Sequence, residues 1–123
     1  MTILTAGHSN RSFDEFTNLL LHNGVQVLVD VRSRPVSRYC PWFNRSYLEK
    51  NLPMQYAFRG ATLGGLDPSI PYDAFEESIE ELIRFSKMYR VCVLCSEKDH
   101  TKCHRFTRIS PALQERGVKV LHI

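Results

Sequence analysis

Between Val91 and Arg105 the chain reads VCVLCSEKDHTKCHR, an apolar run that breaks at Cys95 into a polar stretch holding Glu97, His100, Cys103, His104 and Arg105. These residue types admit three chemistries. Cysteine and histidine can hold a metal, a cysteine beside positive charge can act as a thiolate, and arginine can grip an anion. The spacing Cys-x4-His-x2-Cys-His matches no common zinc knuckle. Adjacent Cys103 and His104 would also point apart at the start of a helix, so neither a metal nor another cofactor is expected.

Cys95, at a strand end with Arg105 downstream, is the candidate nucleophile, with Glu97 and His8 or His104 as acid and base. The segment VDVR with a later strand ending in cysteine resembles the rhodanese fold, but nine residues separate Cys95 from Arg105, so the tight Cys-x5-Arg anion loop is absent. An ionised Glu97 close to the thiol would raise its pKa. A cysteine packed as a small hydrophobe fits the same position, and Cys92 is read in that way. If the strand end reaches a pocket, Cys95 should be alkylated faster than Cys92.

An anion pocket asks least of the spacing. Arg32, Arg38 and Arg105 offer forked donors, GHSNR (7–11) adds Gly7, His8, Ser9 and Asn10, and Asp30 and Asn44 can orient these groups. The expected ligand is a phosphate, nucleotide or sugar phosphate, and an enzyme here would be a hydrolase or transferase acting on such a substrate. Loops are polar in any case, and Asp30 alone is equally suited to orienting a loop. Tyr39, Trp42, Phe43 and Tyr47 lie among the arginines and either stack on bases or fold a loop onto the body of the domain. The competing reading is therefore a non-catalytic nucleic-acid or protein-binding module that uses the arginine and aromatic surface.

These residues need elements to position them. Ile3–Ala6 reads as a strand stopping at Gly7. Ser12 with Glu15 forms a capping-box pattern before Phe13, Phe16, Leu19 and Leu20 at helical spacing, with Gly24 as terminator. The valine-rich stretch 25–31 suits a strand buried on both faces. The region 33–71, with five prolines, is read as mostly loop around a short helix over 44–51 and a strand over 54–58. Phe75, Ile79, Leu82 and Ile83 mark a helix from Tyr72 to about Met88. A strand over 90–95, a helix over 103–116 kinked or restarted at Pro111, and a strand over 118–123 complete the order. This alternation predicts one α/β domain over 1–123, a mainly parallel sheet of about five strands with helices on both faces. The polar segments then share the sheet's carboxyl edge.

With 123 residues, 43% hydrophobic and 24% charged, the chain suits a single globular domain. The net charge of +3 does not by itself indicate a nucleic-acid binder, although the arginines cluster. No apolar run approaches a membrane span and no signal peptide is evident, so a cytoplasmic protein with reduced cysteines is expected.

The fragments TAGHSNRSFDEF, LVDVRSRPVSR, Phe43-Asn44, LGG, VLCSEKDHTKCHR and the terminal VLHI, taken together, resemble the conserved-domain family filed as domain of unknown function number 488. The likeness runs over essentially the full chain. It implies a single α/β domain and marks these positions as characteristic, without implying a reaction.

Overall fold

The computed structural model describes residues 1–64, 69–97 and 108–123. Strand β1 (Thr2–Gly7) leads to helix α1 (Phe13–His22) and strand β2 (Val27–Asp30). A 3-10 turn (Pro41–Phe43), α2 (Arg45–Asn51), β3 (Gln55–Phe58), α3 (Gly60–Leu63) and α4 (Tyr72–Met88) follow. β4 (Val91–Cys95), α5 (Ser110–Gln114) and β5 (Lys119–His122) complete the order. The strands form one sheet in the order β3-β2-β4-β1-β5, and every pairing is parallel. The chain is thus an α/β domain of the expected class.

Strand parity divides the core in two. In β4, Val91, Val93 and Cys95 join Val27, Val29 and Val31 of the β2 region under α3, α4 and α5, through Leu63, Phe75, Ile79, Leu82, Ala112 and Leu113. Cys92 and Leu94 point the other way, with Leu28, to meet Phe16 and Leu20 of α1, Phe43 of the 3-10 turn and Leu48 of α2. Successive side chains of a strand leave on opposite faces, so a strand covered on both sides must be apolar throughout, which explains the unbroken valine-rich runs.

Local chemistry sets the helix ends. Ser12 Oγ accepts from the Glu15 N–H at 3.1 Å and Glu15 returns a carboxylate to the Ser12 N–H at 3.2 Å, so the expected capping box is formed. Pro111 lies in the first turn of α5, where its missing N–H has no helical partner to lose. Residues 103–107 of the longer helix expected there lie outside the described residues.

One expectation is corrected. Residues 60–63, read as loop within the proline-rich region 33–71, form the helical turn α3. These glycines serve close packing: a Cβ on Gly60 would lie 1.9 Å from the Arg32 carbonyl oxygen, and one on Gly64 would lie 2.2 Å from Ser33 Oγ. The turn is thereby pressed against the chain leaving β2. Among the described residues, no helix is long and apolar enough to cross a membrane.

Candidate anion-binding site

The carboxyl ends of β1, β2 and β4 meet at one edge. Gly7 is in register with Cys95, and Asp30 with Leu94. Beyond the strands, the His8 N–H donates to the Cys95 carbonyl at 3.0 Å, the Ser9 N–H to Ser96 at 2.9 Å and the Val31 N–H to Leu94 at 3.1 Å. From β2 the chain passes to β3 by way of α2 on one face. β4 and β5 are linked by a segment that includes α5 on the other face. The ends of neighbouring strands whose connections diverge in this way are the usual ligand position in such sheets.

At the end of β2, Asp30 and Arg32 form a buried fork. Asp30 Oδ1 accepts from Arg32 Nε at 2.8 Å and from the Arg32 backbone N–H at 3.1 Å, while Oδ2 accepts from Nη2 at 2.7 Å. Tyr56, on the adjacent β3, donates its hydroxyl to Oδ2 at 2.5 Å. Burial first, then the Asp30 charge and this hydrogen bond, push the Tyr56 phenol far above its ordinary range, so it remains a donor. Asp30 is fully buried and Arg32 is 4% exposed. The remaining amino group, Arg32 Nη1, lies on the guanidinium edge turned away from the carboxylate. It is buried and has no hydrogen-bond partner among the described residues. A buried charged donor left in that state is costly and calls for an acceptor.

His8 stands at the β1 side. Its ring stacks on Phe43 with centroids 4.4 Å apart and planes at 22°. Nδ1 lies 2.8 Å from the Ser9 carbonyl oxygen. A carbonyl can only accept, so Nδ1 carries the proton and Nε2 presents a lone pair. Desolvation lowers the His8 pKa from 6.5 to about 4, with the Ser9 bond opposing, Arg32 lowering it further and Asp30 raising it. Ser9 itself has φ of 51°, a left-handed conformation that is uncommon outside glycine, asparagine and aspartate and recurs where local geometry is constrained for function.

The backbones of Cys95 and His8 are bonded, but their side chains leave the sheet on opposite faces. Cys95 belongs to the core under α4 and α5, whereas His8 stacks on Phe43, which belongs to the opposite core. Cys95 is 2% exposed against 0% for Cys92, so the strand end does not expose the thiol as the sequence reading expected. Its Sγ donates to the Glu97 carbonyl at 3.5 Å, and Glu97 is exposed, as are Asn10 and Arg38. Asn44 Oδ1 accepts from the Ser37 N–H at 2.6 Å and so secures the 33–40 loop. Gly7 ends β1 beside Cys95. His104 and Arg105, with His100 and Cys103, lie outside the described residues.

Sequence reasoning missed Tyr56 as part of this site. A tyrosine within the β3 run QYAF was the available signal, but its target became visible only once β3 lay beside β2. Of the other aromatics, Trp42 donates Nε1–H to the Arg11 carbonyl at 2.8 Å, and Phe43 is fully buried, so both fold the loop onto the body. Tyr39 is 86% exposed. Among the described residues, no group of three or more histidine, cysteine, aspartate or glutamate side chains is placed to hold a metal.

The fold and this edge define an all-parallel α/β domain with polar groups gathered at the carboxyl edge of its sheet. The model of the family described as Domain of unknown function DUF488 matches residues 12–69. The matched stretch holds DVRSRP, Phe43-Asn44 and LGG, but neither His8 nor the cysteine segment. No curated protein and no solved structure matches the chain.

Proposed function

We propose that the crevice between the carboxyl ends of β2 and β4 binds a small anionic ligand, of the class of a phosphate, nucleotide or sugar phosphate, with Arg32 as its principal donor. The observation that carries this reading is the orphaned Arg32 Nη1, buried while Asp30 holds the other edge of the guanidinium. A fork fixed in this way is pre-organised, so little side-chain entropy is lost when an oxyanion arrives. The exposed Arg34 and Arg38 add positive potential on the 33–40 loop. On sequence grounds Arg105 is assigned as a second clamp, and His104 as a neighbour of it.

Binding is favoured over thiol catalysis, because the sheet separates the Cys95 side chain from the His8 imidazole. Any hydrolase or transferase chemistry would use His8 as an acceptor. The thiols of Cys40, Cys92 and Cys95 suit a reducing compartment, which supports a cytoplasmic setting. The module reading keeps Tyr39, Arg34 and Arg38 as its exposed surface. Crystals soaked with a panel of nucleotides and sugar phosphates test the proposal: phosphate density within hydrogen-bond reach of Arg32 Nη1 is expected, and an empty crevice across the panel contradicts it. Steeply salt-dependent binding of generic RNA or DNA would instead favour the module.

A further inference from the structure

Resting on the anion-site reading, we infer that the crevice selects oxyanions that carry a proton over those that carry none, because it pairs one unsatisfied donor, Arg32 Nη1, with one fixed acceptor, His8 Nε2. Both flank the end of β4: His8 is bonded to the Cys95 carbonyl and Val31, the residue before Arg32, to the Leu94 carbonyl. Each belongs to the α1 and α2 side of the sheet. His8 is there through its stack on Phe43, and Arg32 through Asp30, which follows Leu28 by two residues.

The acceptor cannot turn into a donor by a ring flip without losing the Ser9 bond. The imidazole is 5% exposed, stacked on Phe43, and engaged through Nδ1 with a carbonyl that itself stands in a left-handed residue. An oxyanion without a proton is acceptor-only, so its oxygen would face the Nε2 lone pair. One with an O–H donates to Nε2 while another oxygen accepts from Nη1. The charges point the same way. Asp30 already balances Arg32 and His8 is neutral, so these three side chains sum to zero and a ligand is recognised by donor and acceptor matching more than by total charge.

Inorganic phosphate and sulfate separate these effects. At about pH 8.5 both are mainly dianions of similar size, and only phosphate keeps a proton to donate. Calorimetric titration of the full chain at matched ionic strength should show phosphate binding at least about tenfold tighter than sulfate, the factor one mismatched hydrogen bond carries. Arsenate should follow phosphate, and selenate should follow sulfate. A His8→Phe variant, shown to be folded by its thermal melt, can keep the stack on Phe43 but has no Nε2 acceptor and should narrow the gap. Equal affinity for phosphate and sulfate in the wild-type chain overturns the inference while leaving an anion site in place. Binding of neither overturns the anion site itself.

Discussion

Arg32 folds back onto Asp30, two residues before it, so that both carboxylate oxygens and two guanidinium nitrogens meet in one buried fork at the end of β2. Such a pair is stabilising only as a pair. Removing one partner leaves the other charge buried without compensation, at a cost of about 3–5 kcal/mol. Asp30→Ala should therefore lower the unfolding free energy by that amount in urea titrations. An Asp30→Leu/Arg32→Met double variant should lose much less. A loss below about 1 kcal/mol in Asp30→Ala would show the fork to be solvated.

His8 gives the fold a pH dependence of defined sign. The unfolded imidazole takes up a proton near 6.5, and the folded one only at about 4. Its contribution to stability is thus complete above 6.5, falls as pH drops from 6.5 to about 4, and is flat below. The span corresponds to roughly 3 kcal/mol. Chemical denaturation across this window should show the slope in the wild type and lack this component in His8→Phe. Identical slopes would mean that His8 titrates normally.

Gly60 and Gly117 separate steric contact from backbone strain. A Cβ at Gly60 meets the Arg32 carbonyl oxygen at 1.9 Å and the Phe58 ring at 2.6 Å, whereas at Gly117, with φ of 78°, nothing lies within 4 Å. Gly60→Ala should cost about 1–3 kcal/mol or more and weaken phosphate binding by displacing Arg32. Gly117→Ala should cost about 1 kcal/mol through its left-handed backbone alone and leave binding unchanged. Thermal melts with and without phosphate read both effects.

Cys95 is as enclosed as Cys92. Mild alkylation of the folded protein should modify the two at similar, slow rates and both rapidly in denaturant. Selective labelling of Cys95 would restore it as an accessible nucleophile.

Much of this architecture is legible along the chain because it is written in local chemistry. Ser12 and Glu15 mark the start of α1, the spacing of Phe75, Ile79 and Leu82 marks α4, and the valine run marks β2. The turn over 60–63 is not legible because the role of Gly60 and Gly64 is tertiary: they let α3 approach Arg32 and Ser33, and sequence alone shows only a loss of helix propensity. Asp30 and Arg32 were expected at the site, but the Tyr56 bond depends on β3 lying beside β2, which the chain order does not reveal. The separation of Cys95 from His8 likewise depends on the register that sets Gly7 against Cys95.

The most direct test of the account is the affinity of inorganic phosphate for the wild-type chain and for Arg32→Lys, measured by calorimetry after both melts are shown to be cooperative. Lysine keeps the charge but loses the fork that is held on Asp30 and aimed at the crevice by Nη1. The account predicts binding weaker by about 1–3 kcal/mol in the variant, the scale of a charge-assisted hydrogen bond. Phosphate affinity unchanged by the substitution in a folded protein would contradict it.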